Sequence, residues 1–495
     1  MLGDHYGARK HRWRRYKTRV HIWLLSRRNR LLLMVLSVSL FFFLTLKLSQ
    51  SLLAYRRRLL WSVSPLPRSE IQAFTSSLFR ETQRFNVKTP RGIVLPLFDD
   101  IALLGFSLLL ELGRFQLDLP VEVPHCGDLD LELQIKMKEQ LHSIRFYDVC
   151  ELAANAAIND RKLFCVDLEH CHHKFRSFDI KVLAVIYSRF QEVMLLDADT
   201  LFFQSPMTLW DTDKYKNTGT LFFNDRISYE LSYLAKRTPA DDGQVDMSIG
   251  ALHRFLADFD VSPYGGFAVV NNGEARSQPR RMLGLDFTFQ PSDFLLNSHV
   301  WRLRSGHQMD SSLVLWNKAR QPRATAILAS FVALNGLPTV PSYGDKELYW
   351  LACELAETAY AFSDFAVSTV GWELLSEGRK NDGILCGDAL QHYPVQMNPA
   401  KKPGADVELL YMNSDNIVEW GREPRRLYRT AARPAELYPG TFTERKLLQT
   451  CPFDVTTMDL APLEGMLLTQ RKEFYDVVAG WVGMEWLPFA WITLC

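Results

Sequence analysis

The chain has 495 residues, 57 Lys plus Arg against 56 Asp plus Glu, and 47% apolar residues including 12 Trp. That apolar content excludes a disordered polymer, and the length suits two or three average domains or one large α/β enzyme. The balanced total hides an asymmetry, because residues 1–30 carry ten Lys plus Arg against one acid, Asp4.

Directly after this basic block, LLLMVLSVSLFFFLTL (31–46) carries no charge. Sixteen helical residues reach roughly 24 Å, and a span is completed if Lys47 snorkels and the helix runs to about residue 53. No small-x-small cleavage site follows, so a signal-anchor is expected over 31–53 rather than a cleaved peptide. The basic tail, 1–30, would stay cytosolic. The remainder would be luminal, as in a single-pass type II protein held by its lipid-embedded anchor, whose shortness fits the thinner membranes of the early secretory route. Beside such an anchor the basic block is an orientation signal, and no nucleic-acid module is recognisable. Residues 54–90 lack sustained periodicity and read as a stem, leaving 91–495 as the folded domain. All eight cysteines follow the anchor, where disulfides are permitted, but spacing alone does not assign their pairing.

The folded part opens with GIVLPLF (92–98), a buried-strand pattern, followed by a helix with acids in its first turn, DDIALLGFSLLLELGRF. LPVEVPHCGD (119–128) reads as a strand, ELAANAAIND as a helix and LFCVD as another apolar strand. KVLAVIYSRF (181–190) reads as a helix and QEVMLLDADT as the next strand. This alternation predicts an α/β domain with a mostly parallel central sheet, whose ligands bind beyond the carboxyl ends of the strands.

VMLLDAD ends at such a position. Asp197 and Asp199 share one side of an extended segment, and two hard oxygen donors there suit Mn²⁺ or Mg²⁺ carrying a diphosphate. Sugar-nucleotide transferases (DxD) and haloacid-dehalogenase-type phosphatases share that logic. The phosphatase motif places its hydroxyl or β-branched residue four after the first Asp, whereas Thr200 stands three after it. The spacing therefore favours a transferase, with a turn or helix cap as the non-functional alternative. Lys181, at the start of the preceding helix, is a candidate diphosphate contact. Lys401 and Lys402 are others, although exposed lysines are the simpler reading. CVDLEHCHHKF (165–175) has no recognised zinc spacing, and Cys165–Cys171 or a longer-range bridge is expected instead. The final FYDVVAGWVGMEWLPFAWITLC is interrupted by Asp476, Glu485 and Pro488, which argues for a buried or interfacial element over a second span.

VMLLDADTLFFQSP, DSSLVLWNK (310–318) and GDKELYWLACELA (344–356), in this order, resemble the fungal-type α-1,3-mannosyltransferases of the Mnn-one group, glycosyltransferase family 71. The likeness runs from about residue 91 to about residue 420. It implies a GT-A type nucleotide-diphospho-sugar transferase fold, GDP-mannose as donor, Mn²⁺ as cofactor, a mannose-terminated glycan or glycoprotein as acceptor, and retention at the anomeric carbon. By position it places Asp197 and Asp199 on metal and diphosphate, Asp310 and Ser311 near the donor sugar, and Asp345 near the reacting carbon and acceptor. His392 becomes a third metal ligand. The family's usual Gly after the serine is Ser312 here. Asp345 has a second reading as a helix N-cap. Two alternatives stay open: a UDP-sugar donor on the same fold, and a catalytically dead luminal scaffold.

Overall fold

The computed structural model describes Lys47, residues 68–84 and, with short omissions, 89–416, then 430–432 and 457–481. Two compact units divide between Ser64 and Pro65. The expected anchor, 31–53, lies outside the described residues apart from Lys47, which is helical and exposed. Among the described residues no helix is long and apolar enough to cross a membrane.

The second unit is an α/β fold. Its principal strands are β1 (Thr89–Val94), β2 (Val121–His125), β3 (Ile144–Asp148), β4 (Phe190–Leu196), β5 (Thr200–Phe202), β6 (Thr220–Asn224), β7 (Met309–Asn317), β8 (Ser368–Ser376), β9 (Arg379–Tyr393), β10 (Glu408–Asn413), β11 (Thr430–Ala432) and β12 (Thr457–Asp459). The helices used below are α1 (Arg68–Arg84), α2 (Asp99–Gly113), α3 (Ile180–Tyr187), α4 (Pro322–Phe331), α5 (Leu348–Leu355) and α6 (Pro462–Trp481).

The central sheet runs β3-β2-β1-β4-β7-β6. Its first four strands are parallel, and β7 is antiparallel to both β4 and β6, so the sheet is mixed. The unbroken VMLL run follows from burial on both faces. Val193 and Leu195 enter one core with Val314 and Trp316. Met194 and Leu196 enter the other with Leu313 and Leu315. A second six-stranded sheet, β12-β11-β8-β9-β10-β5, closes that other core together with α2 and α6. No periodicity announced this sheet, because β5 is only three residues long and its partner β10 lies some two hundred residues later.

Two further expectations are corrected, and the tail is the buried element expected of it. The stretch taken as stem contains α1, whose Phe74, Leu78 and Thr82 are buried, so the folded unit begins before residue 90. LFCVD is a loop, not a strand, with Leu163, Phe164 and Cys165 buried and Val166 and Asp167 exposed, and is held by the Cys165–Cys171 disulfide. The tail's FYDVVAGW belongs to α6, which turns Leu467, Leu468, Tyr475 and Val478 into the core; residues 482–495 lie outside the described residues.

Candidate active site

β4 stops where the apolar run meets Asp197. The DAD segment is a tight turn rather than an extended strand: the Thr200 backbone N–H donates to the Asp197 carbonyl at 3.3 Å, and Thr200 Oγ1 donates to it at 2.8 Å. The chain has to reverse here because β4 belongs to the central sheet and β5 to the second one. Three distant segments secure the turn. Asp197 N–H donates to the Ser312 carbonyl of β7, and Ser414 N–H donates to the Asp199 carbonyl, each at 2.9 Å. From behind, Arg471 of α6 donates to the Ala198 carbonyl at 2.7 Å.

Lys181 is buried and projects from the first turn of α3 onto two acids. Its Nζ lies 2.5 Å from Asp197 Oδ1 and 3.4 Å from Asp345 Oδ1. Burial works against the ammonium, but Asp197, Asp345 and more weakly Asp199 outweigh it, and its pKa is raised. Ser311 Oγ donates to Asp345 Oδ1 and Tyr349 OH to Oδ2, both at 3.1 Å. Burial holds the Asp345 carboxyl above its usual range despite these partners, and the same cause raises Asp197. Asp345 does not cap α5 with its side chain; only its backbone carbonyl receives the Leu348 N–H, at 3.1 Å. Lys181, Asp197, Ser311 and Asp345 thus lie side by side, although they come from four separate segments.

A second cluster adjoins the first. Lys346, one residue after Asp345, reaches Asp225 Oδ2 at 2.6 Å. Asp225 follows β6 directly, with its N–H on the Gln308 carbonyl at 3.0 Å. Burial would raise Asp225, but Lys346 outweighs it and holds the carboxyl below its usual range. Asp310 is buried, accepts the Ser312 N–H at 2.9 Å, and is pushed up by burial and by Asp225. Ser312, which replaces the usual glycine, donates its hydroxyl to Tyr411 OH at 3.1 Å, so its side chain is engaged with the second sheet.

Asp225, Lys346, Asp388, Tyr411 and Arg471 were missed. Asp225 had a legible signal, since TLFFND repeats the pattern of an oily strand ending in acid that flagged Asp197. Asp388 had none: it enters through Ser414, whose Oγ donates to Asp388 Oδ2 at 2.6 Å while its N–H binds the Asp199 carbonyl.

The metal set expected from Asp197, Asp199 and His392 is not assembled. Among the described residues no group of three or more His, Cys, Asp or Glu is placed to hold a metal ion. Register explains the position of His392: Asn413 pairs with both Thr200 and Ala389, whereas His392 pairs with Leu409, three residues further along β9, or about 10 Å away. The two aspartates still suit a hard divalent cation in their donor chemistry. Asp197, Asp199 and Asp345 surround one lysine, and further ligands can come from phosphate and water. Lys401 and Lys402 lie outside the described residues.

Paired aspartates beyond the carboxyl end of a parallel strand stand where open α/β sheets bind their ligands. The model of the family described as "Mannosyltransferase putative" matches residues 90–393, and the chain belongs to that family, the Mnn1-type mannosyltransferases. It is 26% identical to a Candida albicans protein named "Putative alpha-1,3-mannosyltransferase MNN1", over 79% of this chain and 47% of that one. Two Saccharomyces cerevisiae proteins, "Probable alpha-1,3-mannosyltransferase MNT4" and "Alpha-1,3-mannosyltransferase MNT2", are each 24% identical, over 63% and 65% of this chain and 49% and 51% of theirs. The chain spans about half the length of these relatives. Among solved structures, the WbbM bifunctional glycosyltransferase (10% identity, 56% of this chain, 38% of that one, TM-score 0.30) and the galactosyltransferase LgtC (13%, 55%, 74%, 0.27) overlap part of it. No assignment rests on overlaps of this size.

Proposed function

We propose that the chain is a retaining α-mannosyltransferase of GT-A type, moving mannose from GDP-mannose to a hydroxyl of a mannose-terminated glycan. The observation that carries this reading is the Lys181–Asp197–Asp345–Ser311 cluster beyond the β4 strand end, in a chain of mannosyltransferase family. Asp197 and Asp199 are the proposed ligands of a divalent cation, Mn²⁺ or a similar ion. When bound, it supplies positive charge to a diphosphate leaving group. Lys181 neutralises Asp197 and Asp345 while presenting an ammonium toward the same diphosphate.

Asp345 is poorly suited to act as a covalent nucleophile. Both its oxygens are engaged, Oδ1 by Ser311 and Lys181 and Oδ2 by Tyr349, which orients the carboxylate and lowers its nucleophilicity. Its proposed role is electrostatic, facing the positive charge that develops at the anomeric carbon. The acceptor hydroxyl then attacks from the face that the diphosphate leaves, and the departing diphosphate oxygen takes its proton. A mannosyl ester trapped on Asp310 or Asp345 would rule this route out. Golgi residence and type II anchoring through 31–53 belong to the same proposal and are supported by the basic and apolar pattern of residues 1–53.

The test is binding and slow hydrolysis of GDP-mannose and UDP-sugars by the full-length chain, with Mn²⁺ or with EDTA. Asp197→Asn/Asp199→Asn is measured alongside. Metal-dependent selectivity for GDP-mannose that falls at least 100-fold in the double variant is expected. Selectivity for a UDP-sugar would overturn the donor. Folded protein that binds no sugar nucleotide would turn the reading to a scaffold.

A further inference from the structure

Beside the acids stands a wall of aromatic rings that nothing above uses. Phe178 lies three residues before Lys181, and Tyr343 two before Asp345. Their ring centroids are 5.6 Å apart, tilted by 47°. Both are large rings left in water, 48% and 47% exposed. Behind them, Tyr233 meets Tyr343 edge-on at 5.5 Å and lies against His307 at 4.8 Å. His307 Nδ1 in turn is 3.5 Å from Glu347 Oε1. The wall abuts the charged groups directly, since Lys181 Nζ is 5.6 Å from the Phe178 ring centroid.

Two backbone features hold the rings in this position. Gly344 adopts φ +59°, and a Cβ there would lie 2.6 Å from Phe178 Cβ, so only glycine lets Tyr343 and Phe178 sit side by side. Tyr233 itself adopts φ +48°, a left-handed conformation costing a non-glycine residue about 1 kcal/mol. Backbone strain that keeps exposed rings in place marks a ligand surface more than a packing accident. Rigid aromatic faces bordered by carboxylates and an ammonium match a hexose, whose C–H face is apolar and whose hydroxyls point outward. A nucleobase fits this place less well, because a ribose and two phosphates separate it from the anomeric carbon, whereas Tyr343 is two residues from Asp345.

We propose that Phe178 and Tyr343, steadied by Tyr233 and His307, are the platform on which a hexose of the acceptor glycan stacks. This rests on the glycosyltransferase reading for the word acceptor, but the binding surface can be tested independently of catalysis. Binding of α-linked mannobiose and, separately, of GDP-mannose would be measured by ligand-observed NMR and calorimetry. The proteins are the full-length chain, Phe178→Ala, Tyr343→Ala and Tyr343→Trp, each checked for a cooperative melt. The expected result is about tenfold weaker mannobiose binding in either alanine variant, exceeding any change in GDP-mannose binding, with Tyr343→Trp retaining the disaccharide. GDP-mannose binding weakened as much as or more than mannobiose binding would overturn the proposal and give the rings to the donor. Mannobiose binding that ignores both alanine substitutions, or that is absent in the unaltered chain, would also overturn it. If mannobiose binds through these rings while no sugar nucleotide binds, the platform stands and the transferase reading falls.

Discussion

Lys181 and Lys346 each bridge acids that come from different segments, and the pairs differ in how the charges balance. Asp225 is lowered and Lys346 raised, the signs expected of a pair that favours its charged forms. A lowered carboxyl contributes stability above its ordinary value of 3.8 and loses it as pH falls through the folded value. A raised lysine contributes below 10.5 and loses it as pH rises through the folded value. Lys346→Met is therefore expected to destabilise the fold by about 1–3 kcal/mol across that plateau, discounted because the lysine side chain is 30% exposed. The gap from the unaltered chain should narrow below pH 3.8 and above pH 10.5. Urea melts across pH check this, and a gap that persists unchanged at both extremes contradicts the pairing. At this scale Asp197 stood out because an acid directly after an apolar run is conspicuous, whereas Asp345 stood out only through the motif GDKELYW. Asp388 was not, because its relevance comes only through Ser414.

Among the elements, α6 does more than close a core. Arg471 is fully buried and divides its guanidinium between Glu111 Oε2 at 3.3 Å, the Leu104 carbonyl at 3.1 Å and the Ala198 carbonyl in the DAD turn. Glu111 uses its other oxygen to accept the Phe202 N–H of β5 at 3.0 Å. One buried pair thus joins α2, α6, the turn and the second sheet. Arg471→Met is expected to cost about 3 kcal/mol, because the fully buried Glu111 then keeps only Arg114, 3.2 Å from its other oxygen, to offset its charge. Glu111→Leu/Arg471→Met should recover part of that loss, since an apolar pair avoids the isolated charge. It should not recover sugar-nucleotide affinity, because the Ala198 carbonyl and Phe202 N–H still lack their partners. Urea melts together with donor titrations separate the two effects; full recovery of both would show that the brace does not position the turn.

For the whole molecule, disulfides tie the segments that follow β2 and β3. Cys126, just after β2, is bonded to Cys150 across 24 residues, and Cys165 to Cys171 across six. All four are buried. Cys386 is disulfide-bonded as well, and reduction of all these bonds is expected to lower stability by at least about 3 kcal/mol. Urea melts with and without dithiothreitol measure this, and coincident curves would contradict it.

What the sequence determined by itself is whatever local pattern encodes. The continuous apolar run VMLL marked β4, because that part of the strand is buried on both faces. Acids at a strand end marked Asp197, and motif order marked the family. Tertiary structure alone decided the rest. The second sheet pairs segments some two hundred residues apart, and no window along the chain contains both partners. The DAD turn bends because its two flanking strands belong to different sheets. Arg471 reaches that turn from α6, more than 270 residues away. Pairing register, which no composition fixes, put Asp388 rather than His392 against Ser414, whose N–H holds the Asp199 carbonyl. Short-range chemistry is written in neighbouring residues, whereas a site assembled from separate segments exists only once the chain has closed upon itself.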